Sequence, residues 1–337
     1  MAQWLALSDR ATPLEAAVGL PLLAKATLVL EFELPLEGAA ILIDYKTDTD
    51  WPRALSVFVD EQAGVVILHR QADRLLRHVL PGPLGLSSNG VARISFGWNG
   101  PAKSWTLSLE QPGQGEGRRT RGRDCMPMLM EDILSICDGT HETRRHRSVL
   151  WFGVMDGATL PDRAPWVGLQ TPIDTPYGPC PAGKLRPGDM LLTEDGDYAV
   201  LLSRTLMDLP SRGSFSPVVL RAPYFGAESD ILVSADQLVA ISGDEVEYLF
   251  GEDTVLTEAR NLTDGRAALM DLRRALTSCV ALDIGVPRLI QAEDCRLLTH
   301  TNGRSTAQTF APHTVIQGYE TIPLLDMLGR TGGRSVA

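Results

Sequence analysis

The sequence contains few cysteines and histidines, and neither residue type is spaced as in a metal site. The five cysteines, at positions 125, 137, 180, 279 and 295, include no Cys-x-x-Cys pair, and no histidine stands at ligand spacing from them. An odd number of widely separated cysteines also does not form a disulfide framework. We therefore expect neither a bound metal nor any other cofactor.

Basic charge and long apolar runs are also scarce. The chain has 31 Lys and Arg against 42 Asp and Glu, a net charge of −11 and a pI near 5.1. Nucleic-acid binding depends on a basic surface, so no nucleic-acid partner is expected. No uninterrupted apolar run reaches about 18 residues, so no membrane span is expected. Met1–Arg10 lacks the basic start of a signal peptide, which favours a cytoplasmic location by default and leaves signal-independent secretion open.

Enough apolar residues are present for two packed domains. The chain has 337 residues, of which 44% are hydrophobic. Its first half shows short segments of alternating apolar and polar residues, about ten residues apart and separated by Gly, Pro and Asp. These segments are Thr27–Leu34, Ala40–Tyr45, Ala54–Asp60, Val65–His69, Val91–Trp98 and Ser104–Leu109. They predict an all-β sandwich over residues 1–160, and their rhythm resembles a concanavalin-like or laminin-G-like jelly roll.

Two segments of the first half do not follow this rhythm. Pro127–Cys137 has apolar residues at helical spacing, with Gly139 placed to end the helix, so it predicts a short helix. Gln111–Arg123 is rich in Gly and Arg and predicts a mobile, solvated loop, with an anion or partner site as the less favoured alternative. The apolar run Ser148–Val154 then predicts the last strand of the sandwich.

The most informative segment is Thr171–Thr193, which predicts compact β structure. It combines a strand at Thr171–Thr175, a turn at Pro176–Gly178, and Leu185-Arg-Pro-Gly-Asp189 before a strand at Met190–Thr193. This order resembles the opening of Hint domains, the module shared by hedgehog autoprocessing domains and inteins. The compact form found in many proteobacterial proteins is the most similar.

The resemblance continues downstream. Ile231–Ile241 holds two apolar runs around a short polar step, where Hint domains carry Thr-x-x-His. Val280–Val286 and Leu289–Glu293 look like the closing pair of strands. The predicted boundaries are 165–305 for a mainly β Hint domain, 156–166 for a linker and 306–337 for a C-terminal tail.

Self-cleavage in this family requires a side-chain nucleophile at the junction, because only a thiol or hydroxyl can convert the peptide bond into a thioester or ester. Family members place Cys or Ser about five residues before a Gly-Thr pair. The chain instead has Trp166 near that place and Gln170 before Thr171, with no Cys or Ser from Thr159 to Gln170. The nucleophile is therefore predicted to be absent.

The second requirement is an imidazole that protonates the scissile amide. The matching position is Gln237, and an amide cannot shuttle a proton at neutral pH. Ser234 keeps the hydroxyl of the Thr position, and Asp283 completes the set of vestigial positions that the resemblance marks. The resemblance thus implies a Hint fold that has lost autoprocessing.

Two further candidates, Cys180 and His300, are interpreted as residues without a catalytic role. Cys180 follows the turn, at the wrong strand end, and is interpreted as a small apolar residue. His300, in a His-Thr-Asn sequence, is interpreted as a surface residue and not as part of a closing His-Asn pair.

Trp51, Trp98 and Trp105 are candidates for stacking on a sugar, although packing within the sandwich is preferred for Trp98 and Trp105. The sequence favours a monomeric, non-enzymatic binding or structural module with a protein or carbohydrate partner. Slow self-cleavage by another route, with water or Cys180 as nucleophile, and sugar binding by the sandwich remain as alternatives.

Overall fold

A computed structural model describes residues 3–113, 117–157, 165–299 and 311–331. The chain forms two compact units, Met1–Asp162 and Arg163–Ala337. Both consist mainly of antiparallel strands, so the predicted all-β class is confirmed.

The described residues of the first unit form thirteen strands and one α-helix. The strands are β1 (Trp4–Leu7), β2 (Leu22–Leu23), β3 (Lys25–Leu34), β4 (Ala40–Thr47), β5 (Arg53–Asp60), β6 (Gly64–Gln71), β7 (Arg74–Pro81), β8 (Gly90–Asn99), β9 (Ser104–Glu110), β10 (Arg118–Arg123), β11 (Met128–Leu129), β12 (Glu142–Arg145) and β13 (Val149–Met155). A six-stranded sheet has the order β1-β13-β3-β8-β9-β10, a five-stranded sheet has the order β12-β4-β5-β6-β7, and β2 pairs with β11.

Alternation along these strands produces one core between the two large sheets. On β3, Leu28, Leu30 and Phe32 are at most 3% exposed, and they share a cluster with Val57 and Ile67 from the five-stranded sheet. Side chains on a strand alternate between faces, so every second residue enters this core. The alternating pattern of the first half therefore corresponds to a sandwich of two sheets around one core.

The α-helix described in this unit, α1 (Met130–Asp138), is attached to strands β4 and β5 by the buried carboxylate of Asp132. Asp132 accepts hydrogen bonds from the hydroxyl of Tyr45 at 2.6 Å and from Nε of Arg53 at 2.9 Å. Gly139 ends the helix with φ of 74°, the left-handed conformation that glycine adopts most readily. The predicted helix is confirmed, but it begins at Met130 because Met128–Leu129 is β11.

The prediction of a loop over Gln111–Arg123 is wrong for its second part. Arg118–Arg123 is strand β10, paired antiparallel to β9 over six residues. Gly and Arg suggested a loop, yet Thr120 and Gly122 alternate with arginines at a period of two, as on an edge strand. The strand conformation of β10 depends on its pairing with β9 at the sheet edge, and amino-acid composition does not show such pairing.

In the second unit, the part that the structure describes forms fourteen strands and two α-helices. The strands are β14 (Val167–Gly168), β15 (Pro172–Thr175), β16 (Gly178–Pro181), β17 (Met190–Leu192), β18 (Tyr198–Val200), β19 (Ser203–Pro210), β20 (Pro217–Leu220), β21 (Ile231–Ser234), β22 (Leu238–Ser242), β23 (Thr254–Glu258), β24 (Ala268–Met270), β25 (Leu276–Asp283), β26 (Leu289–Ala292) and β27 (Cys295–Leu298). The helices are α2 (Asp244–Phe250) and α3 (Thr321–Thr331).

These strands form two larger sheets and two hairpins. The six-stranded sheet has the order β19-β25-β14-β21-β20-β24, and the four-stranded sheet has the order β23-β22-β27-β26. The hairpins are β15-β16 and β17-β18. The predicted closing pair of strands is wrong, because β25 lies between β19 and β14 while β26 pairs with β27.

Part of the predicted tail packs into this unit. Ile316 and Leu324 are 4% and 1% exposed and belong to the same core as Val233 and Val280. The backbone N–H of Ile316 donates to the carbonyl of Leu256 at 2.8 Å. Residues 311–326 are therefore an integral part of the second unit.

Candidate functional site

The segment corresponding to a Hint junction enters the six-stranded sheet of the second unit. Val167 on β14 pairs with Val233 on β21 and with Val280 on β25. β14 is only two residues long, yet both its neighbours are longer strands. The junction backbone is thus held from both sides.

Trp166 and Ser234, two of the predicted vestigial positions, lie together. The N–H of Trp166 donates to Oγ of Ser234 at 3.3 Å, and the N–H of Ser234 donates to the carbonyl of Trp166 at 2.9 Å. Trp166 is 4% exposed and Ser234 is 2% exposed. An indole at this position contributes a buried apolar ring and no nucleophilic atom.

Thr171 is anchored next to the same strand. Its hydroxyl donates to the carbonyl of Leu232 at 3.2 Å, and its N–H donates to the carbonyl of Gly168 at 3.0 Å. Its own carbonyl accepts the N–H of Ala182 at 2.8 Å. Thr171 therefore fixes the turn after β14 by three hydrogen bonds.

Gln237 is buried and fully engaged with the backbone. It is 1% exposed, and its Nε2 donates to the carbonyl of Leu298 at 2.8 Å and to that of Leu238 at 3.0 Å. Its backbone carbonyl accepts the N–H of Ala259 at 2.8 Å. The side chain thus connects the start of β22 to the end of β27, and both of its N–H donors are used.

Asp283 lies at the end of β25 and stabilises a turn. It is 8% exposed, and its Oδ1 accepts the N–H of Gly285 at 2.7 Å while Oδ2 accepts the hydroxyl of Ser203 at 3.4 Å. Gly285 has φ of 85° and would place a Cβ against Leu202. Asp283 and Gly285 therefore form one turn, in which the carboxylate is a hydrogen-bond acceptor.

Replacing Gln237 with Leu is expected to lower the free energy of unfolding of the second unit by about 2 kcal/mol, because the carbonyl of Leu298 loses its buried donor. Urea unfolding of the full chain, followed by circular dichroism, measures the change. The control is Gln291→Leu, since Gln291 is only partly buried and donates to a single carbonyl, that of Thr193, at 3.3 Å. Equal losses in both variants would show that Gln237 has no special role.

The thiols of the second unit do not form a reactive centre. Burial raises the pKa of Cys279 well above its usual range and that of Cys295 to about 12, which disfavours the nucleophilic thiolate. Cys180 lies on β16, partly buried against the core, with Sγ 3.7 Å from the carbonyl of Pro181. The described residues hold no cluster of His, Cys, Asp and Glu that could bind a metal ion. His300 lies outside the described residues.

The three tryptophans of the first unit do not form a common stacking surface. Trp98 is 2% exposed and its Nε1 donates to the carbonyl of Leu23 at 2.8 Å, so its ring cannot stack on a sugar. Trp105 packs against the core, with its ring centroid 4.8 Å from that of His78. Only Trp51 is substantially exposed, at 42%, and the guanidinium of Arg53 lies 5.1 Å from its ring.

One part of the chain is similar to a known family. Residues 169–303 match the family model described as the Hint domain. A search among curated proteins gave no match. No helix in the described part of the chain is both long and apolar enough to cross a membrane.

Several solved structures resemble parts of the chain, but with low sequence identity and low TM-scores. The CBM40 module of Ruminococcus gnavus IT-sialidase is 15% identical, with a TM-score of 0.27, over 48% of this chain and 77% of that one. The tailspike protein 2 of bacteriophage CBA120 is 15% identical, with a TM-score of 0.23, over 41% and 20%. Winged bean acidic lectin is 13% identical, with a TM-score of 0.19, over 41% and 63%. Likeness at this level assigns no ligand to the first unit.

Proposed function

We propose that the chain is a two-unit binding or structural protein of bacterial origin whose Hint domain no longer cleaves itself. The observation that carries this proposal is the engagement of Gln237, whose two N–H donors are bound to backbone carbonyls inside the core. A proton donor for the scissile amide must be able to release and recover a proton near neutral pH. The amide of Gln237 has no such proton.

The nucleophile is missing at the same junction. Trp166 is buried, and it contacts Ser234 through backbone N–H and C=O groups. Ser234 uses its hydroxyl as an acceptor for Trp166, so it supports the junction strand. Without a covalent intermediate, an oxyanion-stabilising backbone alone does not split a peptide bond on a useful timescale.

The partner of such a module is a protein or a carbohydrate, and the chain acts as a monomer. A location in the cytoplasm, or export without a signal peptide, fits an acidic chain of this composition. The vestigial positions Trp166, Thr171, Ser234, Gln237 and Asp283 act as structural residues of the Hint domain in this proposal.

Intact mass is the direct test. After prolonged incubation with a thiol or hydroxylamine, the full-length protein is expected to remain at its sequence mass of 36.6 kDa. Both reagents release fragments only where a thioester or ester forms. Trp166→Cys alone and Gln237→His alone are also expected to stay intact, because nucleophile and proton donor act as a unit.

Fragments that begin near Trp166 in the unmodified chain would overturn the proposal and favour slow self-cleavage by another route. Cys180→Ala is the matched variant for that route, because it leaves neither a thiol nor a hydroxyl at this position. If the cleavage disappears in Cys180→Ala, that thiol is the nucleophile, and if it persists, the route through water is favoured.

A further inference from the structure

One face of the six-stranded sheet in the first unit carries a row of arginines. On β10, Arg119, Arg121 and Arg123 stand opposite Ser108, Thr106 and Ser104 of β9. Directly paired residues of antiparallel strands point to the same face of the sheet. Alternate residues of a strand are about 7 Å apart, so the three guanidinium groups start from a line about 14 Å long.

This face is opposite the core of the sandwich. A Cβ added at Gly122 would meet the ring of Trp105, which packs on the core, so Gly122 and Trp105 share the inner face. Arg121 and Arg123, the neighbours of Gly122, therefore point outward. A Cβ added at Gly97 on β8 would meet Thr106, which places Gly97 on the outer face as well.

Beyond the arginines, the outer face continues as a floor of small polar residues. Ser95, Gly97 and Asn99 of β8 pair with Ser108, Thr106 and Ser104 of β9. We call nine of the outward-facing residues of β8, β9 and β10 the arginine face: Ser95, Gly97, Asn99, Ser104, Thr106, Ser108, Arg119, Arg121 and Arg123. Arg93 and Glu110 lie further along the same side and form an ion pair with each other.

The polar groups of the arginine face are available to a ligand. Its three arginines are exposed and form no ion pair with any other described residue. The hydroxyls of Ser95, Thr106 and Ser108 are partly exposed and have no hydrogen-bond partner in the part of the chain that the structure describes. Three permanent cations therefore border a surface of free hydroxyls.

We propose that the arginine face binds an acidic polysaccharide, with carboxylates or sulfates on the arginines and sugar hydroxyls on the serine and threonine floor. Guanidinium groups bind planar anions through paired, charge-assisted hydrogen bonds. A row of cations at regular spacing can bind a polymer that carries anionic groups at regular intervals. The inference extends the proposed binding role of the chain to a ligand class and a surface.

Other acidic macromolecules fit less well. A nucleic acid fits less well because the arginine face offers no aromatic ring for base stacking. An acidic peptide adding to the free edge of β10 would use backbone groups of that strand and leave the hydroxyl floor of β8 and β9 unused. Charged edge strands also prevent sheet-to-sheet association, but that role needs no free hydroxyls on the neighbouring strands.

Binding of the full-length protein to immobilised polymers tests the proposal at about 0.1 M salt. The polymers are polygalacturonate, dextran sulfate, neutral dextran, polyglutamate and single-stranded DNA. We expect binding to polygalacturonate or dextran sulfate and none to neutral dextran. The triple variant Arg119→Gln/Arg121→Gln/Arg123→Gln is expected to weaken that binding about 30-fold or more.

A matched control removes three exposed arginines elsewhere on the first unit. Arg118 is on β10 but points to the other face, Arg77 is on β7 and Arg144 is on β12. Their triple replacement by Gln is expected to change binding less than about threefold, since only the general charge changes. Thr106→Val, which leaves the charge unchanged, is expected to weaken binding about threefold through the lost hydroxyl.

Four outcomes overturn the inference: no binding to either acidic polysaccharide, tighter binding to polyglutamate or DNA, an equal loss in the control triple variant, or undiminished binding by the arginine-face variant. In the last case, new aggregation of the variant would assign the arginines to protection of the sheet edge. The intact-mass measurement is unaffected by any of these results, so the proposed loss of self-cleavage is judged separately.

Discussion

Lowering the pH from 7 to 5 is expected to reduce the free energy of unfolding of the first unit by about 4 kcal/mol, because two histidines are buried in their neutral form. His69 is 5% exposed and His78 is 1% exposed. Burial lowers the pKa of each to about 4, and the proximity of His78 lowers that of His69 further. Both ring nitrogens of His78 and Nδ1 of His69 have no hydrogen-bond partner among the described residues.

The direction follows from proton uptake in the two states. In the unfolded chain each imidazole takes up a proton below its ordinary pKa of 6.5, whereas in the folded unit it does so only near 4. Stability is therefore complete above 6.5 and falls as the pH drops towards 4, by about 2 kcal/mol per histidine at pH 5. Asp124 acts against this by raising the pKa of His78, but burial dominates.

Urea unfolding of the full chain between pH 4 and 8 measures the effect, and His78→Phe is the informative variant. A phenyl ring can occupy the space between Phe96 and Trp105, whose ring centroids lie 4.9 and 4.8 Å from that of His78. This variant should lose about half of the pH dependence. An unchanged slope would mean that His78 takes up its proton at the same pH in the folded and unfolded states, against the lowered pKa.

Replacing Arg93 with Met is expected to destabilise the first unit by about 3 to 5 kcal/mol, because it removes the cation facing a buried carboxylate. Glu31 is fully buried, and its Oε1 accepts Nε of Arg93 at 2.8 Å. Its Oε2 accepts Nε1 of Trp151 at 2.7 Å, and Arg93 also donates to Glu110 at 2.8 Å. Thermal unfolding of the full chain reports the loss.

Arg147→Met is the matched control, since Arg147 pairs with Glu37 at 2.8 Å in full contact with solvent, with side chains 77% and 83% exposed. Such a pair contributes about 1 kcal/mol or less. The double variant Glu31→Leu/Arg93→Met should regain much of the stability lost in Arg93→Met, because no buried charge remains. A double variant as unstable as Arg93→Met would contradict this electrostatic explanation and point to packing.

The sequence predicted the strands of the first unit well where one face of each is buried. Thr27–Leu34 and Val91–Trp98 correspond to β3 and β8, because a buried face demands apolar residues at every second position. The Gly- and Arg-rich strand β10 was not predicted, since an edge strand with polar residues on its outer face lacks the alternation of apolar and polar residues. For the same reason the sequence favoured a solvated loop over an anion or partner site at these arginines, although the alternation of Arg with Thr120 and Gly122 was visible.

Strand partners in the second unit were harder to predict than the strands themselves. The two runs around Ser234–Gln237 are β21 and β22, and they belong to different sheets. β25 and β26 were expected to pair, but β26 has a closer partner in β27, two residues further along the chain. A short hairpin closes at a smaller entropic cost than a longer connection, which favours β27 as the partner of β26. The apolar pattern alone does not distinguish β25 from β27 as that partner.

The sequence alone determined which chemical groups this protein has. Residue types at the Hint positions are read directly, so the absence of a thiol or hydroxyl at Trp166 and of an imidazole at Gln237 needed no structure. Only the tertiary structure decided what those residues do instead. The bond from Gln237 to Leu298, and the juxtaposition of three arginines with hydroxyls from two other strands, depend on elements that are separate in the sequence. Such contacts depend on strand pairing and burial, which are set by the whole fold and not by local residue pattern.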